Sequence, residues 1–385
     1  MTPTVVLVLA ASVLAMAVTW ILTFPIRRHA QKLGLLDRPG GHSSHTAPTP
    51  LGGGVAIFLG ILVTISLATL AAWWLKTPGA PPSMLNWVPA TWLDAAALHA
   101  PGVWSKIGDV WWLMAGCTTL VILGVLDDRF GLPVGLRLGV QFAMAALAVM
   151  GLQIELTAFL PIPWLTKLLS VIWIVAVINS FNMLDNMDTL SAGIAAIIAA
   201  SMAAVMLTTP DPGTGRPQLL VAALLLIVAG SLVGFLFHNR PPARIFMGDG
   251  GSYLVGYLIS IAMLMATYAS GTINQSPRPH AILAPLCAMA VPLYDMTTVL
   301  WIRIRDGRSP FVGDHSHLSH RLVDLGLSRT GAVATIHLIT ATCGLSALLL
   351  AHVPILQAFT VLGIVACMMT LLIILESTQW RRPKP

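Results

Sequence analysis

Six aspartates close or interrupt apolar runs of this chain: Asp127, Asp128, Asp185, Asp188, Asp249 and Asp295. Asp185 and Asp188 belong to the stretch Asn179-Ser180-Phe181-Asn182-Met183-Leu184-Asp185-Asn186-Met187-Asp188, which ends one apolar run and precedes another. Spaced i, i+3, the two carboxylates share a face if the turn is helical. Carboxylates are costly at or in a bilayer, so a functional site is the expected reason for them. The plainer alternative is a polar turn between helices, which has no need of two spaced acids. Asp127-Asp128 ends another apolar run, where negative charge opposes a helix dipole. Adjacent carboxylates also repel unless a cation or a shared proton relieves them. The pair suits a divalent-cation or acid–base site; the bland reading is a solvated helix end paired with Arg129.

Phe246-Met247-Gly248-Asp249-Gly250-Gly251-Ser252 is a glycine-rich turn entering an apolar run. Glycines let backbone N–H groups approach a phosphate, and a helix N-terminus favours anions. Asp249 would repel a phosphate there unless Mg²⁺ bridges the two, so the combination points to a phosphate–metal site rather than a simple helix cap. Asp314-His315-Ser316-His317-Leu318-Ser319-His320-Arg321 has a spacing that could ligate zinc. No cysteine lies nearby, and donation from histidine and arginine to a diphosphate is the preferred reading. Asp295 follows Pro292 inside an apolar run, where proline can break a membrane helix; the competing reading is a buried acid paired with Arg303 or Arg305. His42 and His45 lie in the first polar loop and read as surface histidines, in a loop able to close over the site. The motifs G-x-x-x-x-G-K-[ST], H-E-x-x-H and G-x-S-x-G do not occur, which removes P-loop ATPase, zincin and serine-hydrolase readings.

Membrane helices must position these groups. The chain is 56% hydrophobic and 9% charged, against about 25% charged in soluble domains, with mean hydropathy +0.83. Only an all-α polytopic membrane protein fits this balance, read as one integral-membrane unit over 1–385. Eleven runs are long enough to span, at about 4–26, 54–75, 110–126, 136–152, 165–183, 189–208, 218–237, 252–270, 281–304, 331–351 and 354–376. The first reads as a retained helix rather than a signal peptide, because it is long and basic residues follow it rather than precede it. Residues 77–108 read as a long mixed loop with tryptophans at headgroup level. Sixteen of the 21 Lys and Arg residues fall in one set of loops, including Arg27, Arg129, Arg240, Arg305 and Arg382, and five in the other. The positive-inside rule then places the N-terminus outside and the C-terminus in the cytoplasm, with all six aspartates on the cytoplasmic side. The net charge of +6 marks orientation, and no nucleic-acid partner is expected. Cys117, Cys287, Cys343 and Cys367 lie in apolar runs without metal spacing and imply no disulfide.

Taken in order, Asp127-Asp128, Asn182-x-x-Asp185-x-x-Asp188, Phe246-Met247-Gly248-Asp249-x-Gly251-Ser252 and the histidine-rich loop resemble the motifs of the polyprenyl-phosphate N-acetylhexosamine-1-phosphate transferases, the family of WecA and MraY. Asp37, Pro39, His45, Pro48, Pro50 and Gly52-Gly53 match its first loop. Ser309-Pro310-Phe311 before Asp314 is more similar to the WecA-like branch. The resemblance covers about residues 20–330, with the last two helices beyond it. Departures are Gly41-His42-Ser43-Ser44-His45 in place of a basic pair before the histidine, Leu51 for Arg, Asn186 and Thr189 for Gly, and Ser319 interrupting a His-His pair.

The resemblance implies transfer of an N-acetylhexosamine 1-phosphate from a UDP-N-acetylamino sugar, with UDP-N-acetylglucosamine the expected donor, to undecaprenyl or another polyprenyl phosphate. UMP is released. This is the first membrane step of a cell-envelope polysaccharide pathway, at the cytoplasmic face of the inner membrane. The resemblance also implies Mg²⁺ as cofactor, with Mn²⁺ able to replace it, and Asp249 and Asp185 as its ligands. It assigns catalysis to Asp127, Asp128 and Asp249, and substrate binding to Asn182, Asp185, Asp188, Asp295, His317, His320, Arg321 and His45. Partners are the bilayer and the two substrates, and a homodimer is compatible with the apolar surface. Two readings compete. An ion-coupled secondary transporter would place its acids at the bilayer midplane of an internal two-fold repeat; here they gather toward one face and no convincing repeat is seen. A silent membrane scaffold would tolerate Asp→Asn exchange. A cysteine placed at Ser309 should resist a membrane-impermeant thiol reagent in sealed cells and react once the membrane is opened; labelling in sealed cells would reverse the orientation.

Overall fold

The computed structural model describes residues 3–37, 48–76, 88–156, 162–210, 215–269 and 279–377. Its helices are α1 (Pro3–Ala30), α2 (Gly53–Leu75), α3 (Ala90–Ser105), α4 (Ile107–Phe130), α5 (Val134–Gly151), α6 (Pro163–Leu184), α7 (Leu190–Thr208), α8 (Leu219–Asn239), α9 (Gly248–Ala269), α10 (Ala284–Ala288), α11 (Ala290–Arg305), α12 (Leu318–Asp324), α13 (Arg329–Leu350) and α14 (Ile355–Ser377). Ten of these are long and apolar enough to cross a membrane. Where a ninth unbroken span is expected, a short 3₁₀ turn (Pro279–Leu283) running into α10, and then α11, form a pair bent by 63°. Gly248 at the start of α9 and Arg303 near the end of α11 line one cavity. The chain therefore leaves the cavity's face along α9 and returns to it along the bent pair, which counts as an eleventh candidate crossing.

Two further differences from the sequence reading concern polar segments. Part of the expected 77–108 loop is helix α3, packed on the far end of the bundle, where Thr4 Oγ1 lies 3.0 Å from His99 Nε2. Lys76 Nζ sits 3.4 Å from the centre of the Trp104 ring. In the first loop, β1 (Leu36–Asp37) and β2 (Thr49–Pro50) pair antiparallel with Leu36 opposite Pro50. Phe246 N donates to Pro50 O, Gly53 N to Phe246 O and Gly54 N to Met247 O, all at 2.9 Å. This ladder ties the entry of α2 to the turn that opens α9.

Burial does not follow hydropathy. The best window of α9 has mean hydropathy 1.3 and is 89% buried, whereas those of α1 and α14 reach 2.6 and 2.7 but are 11% and 22% buried. Lipid is as apolar as a protein core, so hydropathy does not separate lipid-facing from buried helices, as α8 at 2.8 and 67% buried shows, and the central α9 is free to carry polar groups. Small residues let α9 lie at the centre. A Cβ on Gly124 of α4 would stand 2.2 Å from Gly250 N, and one on Gly54 of α2 would stand 2.1 Å from Gly251 N. Gly124→Ala gains about 1 kcal/mol of helix propensity, but the methyl meets backbone that cannot yield without parting the helices, and overpacking costs about 1–3 kcal/mol. Gly124→Ala should therefore lower the thermal unfolding midpoint in detergent. Gly139→Ala on α5, where nothing lies within 4 Å, should hold or raise it.

Candidate functional site

The carboxylates meet at one face of the bundle, where α4 and α6 end and α9 begins, around a cavity of about 860 Å³. Asp128 Oδ1 accepts the Asp249 N–H at 2.9 Å, while its Oδ2 is buried with no hydrogen-bond partner among the described residues. Gly248 has φ 70°, and a Cβ there would stand 2.5 Å from Asp128 Oδ2, so both conformation and space call for glycine. Asn182 Nδ2 donates to Asp249 Oδ1 at 2.6 Å and to Ser252 Oγ at 3.1 Å. Asp127 differs from its neighbour. It is buried; Oδ1 accepts from Leu132 N at 2.8 Å, and Oδ2 from Arg137 Nη1 at 2.8 Å and Tyr253 Oη at 2.9 Å. Asp127 thus fixes the turn from α4 to α5, and Asp128 faces the cavity.

The Asn182–Asp188 turn carries the rest of the acidic wall. Asp185 caps α6; burial, and then the charges of Asp128 and Asp188, push its carboxyl up to about 7. Asp188 Oδ2 accepts from Ala243 N at 2.9 Å, and Asn239 Oδ1 accepts from Thr189 N at 2.7 Å. Thr189 has φ 64°, an outlying conformation for a β-branched residue, at one of the positions where the sequence departs from glycine.

Opposite the acids stands the histidine loop. His317 and His320 line the cavity; Asp295 and Arg321 do not. Asp295 is fully buried and takes His317 Nδ1 at 2.9 Å and Leu318 N at 2.6 Å. Its partner is therefore His317 rather than Arg303 or Arg305, because the α11–α12 connection folds the histidine loop back over α11. Arg303 instead donates to Pro310 O at 2.8 Å and Asp314 Oδ1 at 3.0 Å. Burial raises the Asp314 carboxyl, but Arg303 and Ser316 outweigh it and bring it to about 2. Arg321 lies behind the histidines, 2.9 Å from Thr298 Oγ1 and 3.3 Å from Glu376 Oε1 of α14, whose Oε2 accepts from Tyr294 Oη at 2.7 Å. Ser319 Oγ donates to Asn186 Oδ1 at 2.7 Å, joining the histidine helix to the Asn182–Asp188 turn. Burial first, and then His315 and His317, hold the His320 imidazolium below the usual histidine range.

Of the residues singled out in the sequence, the cavity gathers Asp128, Asn182, Asp185, Asp188, Asp249, His317 and His320. Asp127, Asp295 and Arg321 stand one layer behind it, and His45 lies outside the described residues. Sequence reasoning missed Arg137 and Gln141 and gave no site role to Asn179, within the stretch it singled out, or to Arg303, named only as a partner for Asp295; all four line the cavity. The signal for two of them was present: Arg137 and Gln141 are polar at i, i+4 in otherwise apolar α5, hence on one face. Gln141 Oε1 accepts from Asn179 Nδ2 at 2.7 Å.

Among the described residues, no group of three or more His, Cys, Asp or Glu side chains forms a ready metal cage. Mg²⁺ does not need one, since it is held by one or two carboxylates with substrate phosphates and water. The bare, buried Asp128 Oδ2 and the crowding that raises Asp185 both fit a site completed by a cation.

Residues 110–267 match the family model described as Glycosyl transferase family 4. The chain is 29% identical over 372 residues to a Bacillus subtilis (strain 168) protein described as a probable undecaprenyl-phosphate N-acetylglucosaminyl 1-phosphate transferase, covering 95% of this chain and 91% of that protein. It is 31% identical over 344 residues to a decaprenyl-phosphate N-acetylglucosaminephosphotransferase of Mycobacterium tuberculosis (strain H37Rv), covering 84% and 78%. To an undecaprenyl-phosphate alpha-N-acetylglucosaminyl 1-phosphate transferase of Salmonella typhi it is 27% identical over 333 residues, covering 84% and 78%.

The two adjacent aspartates should respond in opposite ways. Asp127→Ala strands Arg137 and the Tyr253 hydroxyl, and breaking such a buried pair costs about 3 kcal/mol, so the unfolding midpoint should drop well below that of the parent. Asp128→Asn removes a charge that no ion pair among the described residues balances, and should unfold at or above the parent's midpoint. Equal destabilisation by both would contradict the division of labour.

Proposed function

The chain belongs to glycosyl transferase family 4, and from that membership we propose that it transfers N-acetylglucosamine 1-phosphate from its UDP-sugar to a polyprenyl phosphate at the cytoplasmic face of the membrane, releasing UMP. The observation that carries this reading is the cavity itself, where Asp128 and Asp249 face Arg137, Arg303 and the histidines. A wall of hard oxygen ligands opposite a wall of cationic and N–H donors suits a diphosphate and a second phosphate held together. The names of the relatives support N-acetylglucosamine as the sugar and a polyprenyl phosphate as acceptor. The acids lie at one end of the bundle, which does not favour a coupled transporter with a midplane ion site.

Both substrates are anions, so their approach is repulsive unless the cavity offsets the charge. Arg137 and Arg303 supply positive charge from two sides. His317 and His320 offer ring nitrogens to phosphoryl oxygens. Asp128 is the group placed to take a proton from the acceptor phosphate, because both oxygens of Asp127 are already occupied. An acceptor oxygen attacks the β-phosphorus of the donor, the bond to the bridging oxygen breaks, and UMP leaves with that oxygen and its electron pair. Asp249 and Asp185 would hold Mg²⁺, or Mn²⁺ in its place. When bound, the ion neutralises diphosphate charge and makes the phosphorus more electrophilic. Asn182 keeps the Asp249 carboxylate in one orientation.

Purified protein given undecaprenyl phosphate, radiolabelled UDP-N-acetylglucosamine and Mg²⁺ should form a labelled lipid and UMP, and excess EDTA should stop it. A panel of UDP-sugars that all fail would remove the reaction, and full turnover in EDTA would remove the metal. Asp249→Asn should fold and insert but lose about 3–4 kcal/mol of transition-state stabilisation, roughly a hundredfold to a thousandfold in rate. Near-normal turnover would move the metal to Asp185 or Asp188.

A further inference from the structure

Asp295 has no face on the cavity, yet it holds the residue that does. Its side chain is fully buried, and each oxygen has a separate donor. Oδ1 accepts the Leu318 N–H at 2.6 Å, and Oδ2 takes His317 Nδ1 at 2.9 Å. The Leu318 amide has only a donor to offer, so it commits Oδ1. A carboxylate is acceptor-only, so Oδ2 requires a proton on Nδ1 and leaves Nε2 as the nitrogen available to the cavity. The frame around the pair is rigid. Asp295 lies one turn past Pro292, whose carbonyl accepts from Ser180 Oγ at 2.7 Å, and the far side of α12 is held by Arg321.

We propose that Asp295 is a positioning residue for the transfer reaction, fixing the ring and proton of His317 so that Nε2 meets a phosphoryl oxygen of the donor diphosphate. The proposal rests on the reading of the function given above. With Asp295 behind it, His317 can take a second proton at Nε2 and present a charged N–H to the diphosphate, its charge balanced by the carboxylate. Among the described residues no carboxylate is in hydrogen-bond contact with His320, so the two cavity histidines are not equivalent.

Asp295→Asn separates this role from packing. The carboxamide is the same size, and its oxygen is still required by the Leu318 N–H. Its NH₂ group then faces Nδ1, which must become an acceptor, and the ring proton moves to Nε2. In ¹⁵N-histidine spectra of the whole protein in lipid, with the His317 signal assigned by its loss in His317→Gln, the parent should show Nδ1 protonated. Asp295→Asn should show Nδ1 bare, an unchanged unfolding midpoint, and turnover lower by roughly tenfold to a hundredfold, the worth of a charged hydrogen bond. A parent spectrum with Nδ1 bare would overturn the proposal even if the variant failed to fold. So would a variant whose tautomer or turnover matched the parent's. The spectrum is read without substrate, so it stands or falls separately from the transferase assay.

Discussion

Backbone lies directly on backbone where the turn entering α9 meets α2 and α4, with no room for a methyl group at Gly54 or Gly124. That contact brings Asp128 within hydrogen-bond reach of the Asp249 amide. Charge would drive these carboxylates apart, and a glycine-lined contact is one of the few means by which a helical bundle can hold them together without side chains in between. The hydrophobic effect does not assemble helices inside lipid, so close van der Waals contact has to supply the association. The same contact leaves α9 surrounded by protein along most of its length, and so permits polar residues such as Tyr253 and Ser260 at its centre.

Much of this was legible in the sequence, for separable reasons. Apolar runs reveal crossings because lipid requires every backbone group to be satisfied within the helix. Helix α3 escaped because its composition is mixed and its helicity comes from packing on α1 and α2. The bent pair read as one straight span because hydropathy does not register a change of direction at Met289–Pro292. The acids were legible because few other residues are so costly where they stand. Their roles were not, since Asp127 and Asp128 are chemically identical and differ only in which neighbours reach them. Arg137 was overlooked as a site residue because the charge rule already gives a basic residue at a helix end a role in orientation. Asp295 was visible as an odd acid beside a proline, but its partner is 22 residues away in the chain and no local pattern names it.

The polar groups are layered. Two of those that touch the cavity are backed by carboxylates that do not: Asp127 beside Asp128, and Asp295 behind His317. Arg137 shows the economy of the arrangement, since one guanidinium pairs with the structural aspartate and also faces the cavity. Buried ionic groups contribute little net stability; here they fix direction, which a phosphoryl-transfer site requires more than strength.

The pairing of Glu376 with Arg321 and Tyr294 bears on the order in which the protein comes into being. Chains are made from the N-terminus, and α14 follows every other described helix. The acidic wall and the histidine helix are therefore in the membrane before the carboxylate that braces Arg321 arrives. A nascent chain has the groups for chemistry but not the brace behind α12. Maturation of the histidine face thus waits for the insertion of α14, and a ribosome stalled upstream of it leaves a protein that holds its acids while its opposing wall is still unset.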